Sequence, residues 1–174
     1  MISSRSVVRS DFLSQTYRVT CRVTVLPTGL MSLLNDVTAS LVEVEDAYFS
    51  RLQQPAKILW HFETTYLHKS NVSMVILPRR EDLGPQGLAR GGYTRLIPIP
   101  VLLTTLAFEI RGTLEVVNKL DAAEVLVGGT GKYMVVYDAR AVATQYPDTP
   151  FSGAAILVNR TQVEALAPLS KGKP

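Results

Sequence analysis

The sequence is poor in the residue types from which metal centres, disulfides and nucleophilic active sites are built. Its 174 residues include one cysteine, Cys21, and two histidines, His61 and His68. A single cysteine excludes an intramolecular disulfide and a cysteine-based metal site, and we expect Cys21 to be a small buried residue of a strand. The histidines are interpreted as polar surface residues. No Gly-x-Ser-x-Gly sequence is present, so we predict no enzyme activity, no catalytic residue, no metal and no cofactor.

Long apolar runs are also missing. A membrane-spanning helix needs about 20 apolar residues, whereas the most apolar segment, Leu96–Leu103, is short and contains two prolines. Prolines at alternate positions favour an extended, edge-like segment that is laid across a core. The start of the chain, Met1–Arg9, has no apolar core of the kind found in a secretory signal. We therefore expect no membrane span and a cytoplasmic location.

The remaining composition is that of an ordinary globular protein with a small basic excess. Hydrophobic residues make up 47% and charged residues 19%, the net charge is +3 and the isoelectric point is near 9.1. These values indicate a folded chain of one or two domains. The basic balance permits nucleic acid as a partner but does not require it.

Three short blocks occur twice, in the same order and with nearly the same spacing. The blocks and their second occurrences are Tyr17–Val25 with Phe108–Val116, Leu41–Ala47 with Tyr133–Ala139, and Leu67–Val72 with Val158–Val163. Repetition of several blocks at one period is typical of an internal duplication. The sequence therefore predicts two homologous units.

Each unit is predicted to be mainly β, with the element order β-α-β-β-β, and to form a small barrel or sandwich. Apolar and polar residues alternate in Tyr17–Val25, as in a half-buried strand. Leu30–Asn35 predicts one or two helical turns, and Leu120–Leu126 takes the corresponding place in the second unit. We expect Asp46 and Asp138 each to end a strand, because Asp disfavours strand interiors and suits turns.

The predicted organisation of the chain has five parts. Gly84-Pro85 and Gly91-Gly92 are typical of a connection between folded units. The parts are an N-terminal arm over residues 1–16, a first β repeat over 17–77, a basic Gly/Pro linker with an apolar extended segment over 78–107, a second β repeat over 108–167, and a tail over 168–174.

Four features recur in both units. They are an Arg-bearing first strand, a short Leu-rich turn that ends near Asn35 in the first unit, a hydrophobic strand that closes on Asp-Ala, and a strand entered through Lys/Arg-Ser/Thr-x-Val. Together they resemble a small bacterial β domain of unknown function, here in tandem, and they are distantly similar to an Sm-type β barrel. The helix follows the first strand and Leu41–Ala47 contains no Asn, so the Sm resemblance implies neither an RNA site nor a ring.

Four arginines of the linker are the candidates for nucleic-acid binding. Arg79, Arg80, Arg90 and Arg95 lie within the Gly/Pro-rich connection or beside it. Basic groups on an exposed loop are available to phosphate oxygens. Binding of RNA or DNA through these arginines is therefore the alternative function, and an enzyme of unknown type is a distant third.

One strand face of the second unit is apolar where the first unit has two glutamates. Tyr133, Val135 and Tyr137 lie on this face, and a strand that is apolar on both faces is normally covered on both. Either Leu96–Leu103 or another subunit can supply the cover, and we favour a subunit because the prolines make that segment a poor central strand. The preferred function is a non-enzymatic tandem β protein that acts as an assembly or binding module, with a homo-oligomer or a protein partner.

Overall fold

A computed structural model describes residues 4–85, 95–129 and 131–169 and shows a mainly β chain. Short 3₁₀ turns lie at Lys69–Asn71, Arg80–Leu83 and Arg160–Gln162, and a π-helical turn lies at Glu124–Gly128. The strands and the α-helix are, in chain order, β1 Ser6–Leu13, β2 Tyr17–Val25, α1 Gly29–Asn35, β3 Leu41–Arg51, β4 Gln54–His68, β5 Met74–Leu77, β6 Leu96–Thr105, β7 Phe108–Val117, β8 Tyr133–Ala143, β9 Tyr146–Asn159 and β10 Val163–Pro168.

The ten strands form one antiparallel sheet with the order β10-β6-β7-β8-β9-β5-β1-β2-β3-β4. Strands β1 to β5 make one half of the sheet and strands β6 to β10 make the other. Pairing of β5 with β9 joins the halves. Among the described strands, β10 and β4 have a neighbour on one side only. The described chain is thus one open sheet instead of two small barrels or sandwiches.

The hydrogen-bond registers of the two halves correspond. Ser10 pairs with Cys21 between β1 and β2, and Val101 pairs with Gly112 between β6 and β7, so both partners differ by 91 residues. A register shift interrupts the β2–β3 ladder after Thr20, and a shift interrupts the β7–β8 ladder after Arg111, again 91 residues later. The two halves also have the same strand order. The first half is ordered β5-β1-β2-β3-β4, and the second half, β10-β6-β7-β8-β9, has in each place the strand whose number is higher by five.

The N-terminal segment is a strand and not an arm. Ser6–Leu13 lies between β5 and β2, and Val8 and Phe12 are buried in the core. The alternation of Val8, Ser10 and Phe12 on one face is sufficient for a strand, although the serines and arginines between them are weak strand formers. The order of the first half is therefore β-β-α-β-β-β, one strand more than the sequence predicted.

The apolar segment after the linker is an interior strand and not an edge. Strand β6 pairs with β7 on one side and with β10 on the other. The carbonyl of Pro100 accepts a hydrogen bond from the Leu169 N–H on the β10 side. Because a strand residue directs its N–H and C=O to the same side, the missing N–H of Pro100 costs no bond to β7. The prolines are tolerated since β10 ends near them.

Asp46 and Asp138 lie inside strands β3 and β8, so the expectation that they end a strand was wrong. Their φ angles are 51° and 46°. Asp visits the left-handed region more readily than most residues because its short polar side chain can bond locally. Each strand therefore bends at the Asp and continues, opposite the register shift of its neighbour.

Two hydrophobic cores lie on the sheet. Helix α1 covers the first core with Leu30 and Leu34, as expected from its Leu-rich sequence, and Cys21 is buried in that core. The first core also takes side chains from the second half of the chain, namely Tyr133, Tyr137, Ala155 and Leu157. Within the described residues, no helix is long and apolar enough to cross a membrane.

Candidate functional site

The joint between the two halves is a short strand pair that is covered on both faces. Val75 lies opposite Leu157, and Leu77 lies opposite Ala155, with all four side chains fully buried in the first core. The alternate residues face the second core; they are Met74, Ile76, Ile156 and Val158. Burial of a Val or Leu side chain contributes roughly 1.5–3 kcal/mol, so this joint holds the halves together strongly.

Tyr133 belongs to the second half of the sheet and forms hydrogen bonds with residues of the first half beside the joint. Its hydroxyl donates to the carbonyls of Lys69 at 2.7 Å and Val72 at 3.2 Å. Its backbone N–H donates to Oδ1 of Asn35 at 2.8 Å, and its carbonyl accepts from Nδ2 of the same Asn35 at 3.3 Å. Burial raises the pKa of Tyr133. Helix α1 and the Lys69–Asn71 turn are therefore tied to strand β8.

The three residues predicted to contact another subunit lie at this joint. Tyr133 and Tyr137 are buried and Val135 is partly buried, all packed against the first core. The first half of the same chain covers these three side chains. Neither Leu96–Leu103 nor a second chain is needed to cover them. A contact between chains at these side chains would require the two halves to separate.

The linker arginines that the structure describes are largely engaged by carboxylates. Arg79 forms two hydrogen bonds with Asp82, at 2.8 and 3.2 Å. Arg80 bonds to Glu115 at 3.0 Å and to Asp138 at 2.6 Å. Arg95 is exposed at the start of β6, and Arg90 lies outside the described residues.

Arg80 makes a further contact with the joint. Its guanidinium carbon lies 4.3 Å from the ring centroid of Tyr137, which is the geometry of a cation–π contact. Arg80, which was predicted to bind nucleic acid, and Tyr137, which was predicted to contact another subunit, are thus in contact with each other in a structural cluster. That cluster fastens the end of the first half to the second.

The open edge strand β4 carries an exposed apolar surface that the sequence analysis missed. We call it the β4 strip, and it consists of Ile58, Trp60, Phe62 and Tyr66, which are all exposed. The ring of Trp60 lies 5.8 Å from that of Tyr17, and Phe62 lies 5.7 Å from Phe49 in an edge-to-face contact. In the sequence, the residues of the β4 strip are separated by even numbers of positions. Residues spaced in this way along a strand lie on the same face of the sheet, so the sequence contained the pattern of an apolar face.

Two positions of the β4 strip correspond to buried positions in the second half of the chain. A shift of 92 residues from β3 to β8 and of 91 residues from β4 to β9 relates the pairs of the two ladders, and it takes Tyr66 to Leu157 and Trp60 to Phe151. Tyr66 is 63% exposed and Leu157 is 0% exposed; Trp60 is 47% exposed and Phe151 is 6% exposed. Leu157 lies in the part of β9 that pairs with β5, whereas Tyr66 lies on an edge strand.

The side chains that could take part in chemical reactions are held in structural contacts. His61 bonds through Nε2 to Oδ1 of Asp46 at 2.7 Å and stacks on Tyr48. That hydrogen bond is the main cause that lowers the pKa of Asp46. Burial raises the pKa of Cys21 to about 12, so the thiol is not a nucleophile at neutral pH. Within the described residues, no group of three or more His, Cys, Asp or Glu residues could hold a metal ion.

A cavity of about 240 Å³ lies beside the π-helical turn Glu124–Gly128. Its wall carries charges of both signs, from Glu115, Asp121 and Glu124 and from Lys119 and Arg160. Glu115 is already bonded to Arg80. The balance of charges selects neither an anionic nor a cationic ligand.

Comparison with known proteins gives no further guide, because no family model, curated protein or solved structure matches the chain. The residues themselves therefore carry the functional argument.

Proposed function

We propose that the chain is a non-enzymatic assembly module, built from two copies of one five-stranded β unit, that acts by self-association. The three repeated sequence blocks support the two copies, and so does the recurrence of the ladder registers after 91 residues, or after 92 residues from β3 to β8. The order of the strands within each half supports them as well. If a self-associating unit is duplicated, the chain contains one joint between its two units. The strands at the two ends of its sheet keep an unpaired edge that can form the same joint with another chain.

The observation that carries the proposal is the contrast between the joint and the edges. The β5–β9 joint buries its side chains on both faces, while the corresponding strands β10 and β4 each have one edge without a partner strand among the described residues. An edge strand presents unpaired N–H and C=O groups to another chain. The β4 strip adds apolar surface beside those groups, and exposed apolar patches of this kind mark interaction sites.

The positions of the candidate reactive groups support a role without catalysis. Cys21 is buried, and His61 is bound to Asp46. Arg79 and Arg80 are bonded to carboxylates that nucleic acid would have to displace, so the described linker favours assembly over binding of RNA or DNA.

The test is the molar mass of the protein as a function of concentration. Sedimentation or light scattering over about a hundredfold range of concentration should show a mass that rises above that of one chain, because association follows mass action. Tyr66→Lys should shift the mass toward the single chain. Val37→Lys is the matched control, since Val37 is an exposed apolar residue outside the β4 strip, and it should associate like the wild type. A wild-type protein of single-chain mass at every concentration would refute the proposal.

A further inference from the structure

We infer that the chains join head to tail: strand β4 of one chain pairs antiparallel with strand β10 of the next and repeats the β5–β9 joint. This inference rests on the proposed self-association and specifies its partner, a second copy of this chain, and its geometry. Each chain carries one β4 edge and one β10 edge. Two chains with one joint therefore still have one free β4 edge and one free β10 edge, and such a heterologous contact builds a filament, or a ring if these edges meet.

The backbone groups that strand β4 offers are fixed by its bonds to β3. Lys69 donates its N–H to the carbonyl of Ser40. In an antiparallel ladder, alternate residues direct both their N–H and their C=O to the same neighbour. Leu67 therefore faces β3, and Tyr66 and Thr64 direct their backbone groups to the open side.

The same argument applies to strand β10. Leu169 donates its N–H to the carbonyl of Pro100 in β6. Ala167 therefore also faces β6, and Leu166 and Pro168 direct their backbone groups to the open side.

The internal joint supplies the register for the joint between chains. Within the chain, Val75 pairs with Leu157 and Leu77 pairs with Ala155. Each residue of β5 corresponds to the residue of β10 that lies 91 positions later, and each residue of β9 corresponds to the residue of β4 that lies 91 positions earlier. The transferred register therefore places Leu166 opposite Tyr66 and Pro168 opposite Thr64. Those are the residues whose backbone groups face the open side on both strands. A slip by one residue would break this agreement, so the bonds observed at β3 and β6 are consistent with the transferred register and exclude a slip by one residue.

Side-chain burial agrees with the register. Tyr66 and Leu166 would meet on one face, where their counterparts Leu157 and Val75 are fully buried. The other face is less apolar than in the internal joint, because Thr65 and Ala167 stand where Ile156 and Ile76 are buried. Pro168 has no N–H to donate, and a bulge interrupts β10 after Val163. Both features weaken an edge, so the joint between chains is weaker than the internal joint and reversible.

Disulfide trapping tests the inference directly. Thr65 and Ala167 would form a pair without mutual hydrogen bonds, in which the Cα atoms are about 4.5 Å apart, within the range of a disulfide. Thr65→Cys and Ala167→Cys are made separately, and Cys21 stays in place because it is buried. Mild oxidation of the mixed variants should give covalent dimers, and neither variant alone should do so. Thr65→Cys mixed with Ala165→Cys is the register control and should give far less dimer.

A charge pair gives a second measurement that does not depend on oxidation. Tyr66→Glu and Leu166→Lys should each lower the association of the homogeneous protein. Their mixture should recover dimers, because Leu166 of the first variant can meet the unchanged Tyr66 of the second, and the two new charges attract at the other contact. Circular dichroism checks that each variant is folded.

The outcomes separate this inference from the proposed function. A wild-type protein that associates without any cross-link between Thr65→Cys and Ala167→Cys, or one in which Thr65→Cys cross-links with itself, overturns the head-to-tail joint and leaves self-association standing. A wild-type protein that never associates overturns both.

Discussion

Tyr133 donates its hydroxyl proton to the carbonyl of Lys69, with the two oxygen atoms 2.7 Å apart. The tyrosine belongs to the second half of the sheet and the lysine to the first. Lys69 in turn donates through Nζ to the carbonyls of Leu33 and Asp36, at 2.6 and 2.9 Å. Helix α1, the Lys69–Asn71 turn and strand β8 are thus connected by one set of hydrogen bonds, and we expect the two halves to unfold together.

Tyr133→Phe tests this connection. The substitution removes the hydroxyl and leaves the buried carbonyl of Lys69 with one donor fewer, so we expect a loss of about 1–2 kcal/mol in the free energy of unfolding. Urea unfolding measures it, and the transition should remain single. Tyr66→Phe, at an exposed tyrosine, is the control and should lie within about 0.5 kcal/mol of wild type at low protein concentration. Two separate transitions in the wild type would contradict the coupling of the halves.

Cys21 should make the stability of the fold fall in alkali. Burial raises its pKa to about 12, whereas a thiol in an unfolded chain titrates near 8.5. The unfolded chain therefore releases the proton first, and the stabilisation is complete below about pH 8.5 and is lost as the pH rises toward 12. In that window the thiol contributes a slope of about 1.4 kcal/mol per pH unit.

The Cys21→Ala variant isolates that slope. Other groups, among them Tyr133 with its raised pKa and Lys69 with its lowered pKa, are present in both proteins, so we expect their contributions to cancel in the difference. The difference in the free energy of unfolding between wild type and Cys21→Ala should be constant at neutral pH and should shrink above about pH 9. Chemical denaturation at a series of pH values measures it. A difference that stays constant up to pH 11 would show that the thiol is accessible to water.

Gly84 and Gly29 meet where the end of the first half passes helix α1. Both have positive φ angles, of 94° and 83°. A Cβ added at Gly84 would lie 2.5 Å from the Cα of Gly29 and 2.5 Å from the carbonyl oxygen of Thr28. Gly84→Ala should therefore cost roughly 2–4 kcal/mol, through backbone strain and overlap with main-chain atoms.

Gly128→Ala is the matched control for that substitution. The nearest atom to a Cβ at Gly128 is 3.7 Å away, an ordinary contact, so the stability should change by no more than about 0.5 kcal/mol. Thermal unfolding compares the two variants. Equal stability of Gly84→Ala and Gly128→Ala would mean that the loop can move away from α1.

The mainly β fold followed from local sequence patterns, and its errors have local causes too. Alternation identified Tyr17–Val25 as a strand, and the leucines identified α1. The sequence of Ser6–Leu13 does not predict a strand, because serines and arginines separate its apolar residues. The bends at Asp46 and Asp138 depend on a φ angle that the residue type permits but does not impose.

The joint between the halves could not be derived from local patterns. Pairing of Met74–Leu77 with β9 brings together residues more than 75 positions apart, and no periodicity encodes such a choice. The sequence did show that the face of Tyr133, Val135 and Tyr137 needs a cover. It could not show that the cover is the first half of the chain, and it therefore pointed away from β4, where the exposed apolar residues lie.

Trp60 should report the state of the β4 edge. It is the only tryptophan, it is 47% exposed in the single chain, and its counterpart Phe151 is 6% exposed at the internal joint. Phe151 lies 6.0 Å from the guanidinium of Arg18 in the other half, so a partner at the corresponding edge would reach Trp60. We expect its fluorescence to shift to longer wavelength on dilution, as dissociation returns the indole to water. Tyr66→Glu is the control, because a chain that does not associate should show the long-wavelength emission at every concentration. If wild type and Tyr66→Glu have the same emission at high concentration, while the wild type is associated by mass, the β4 edge is not the contact.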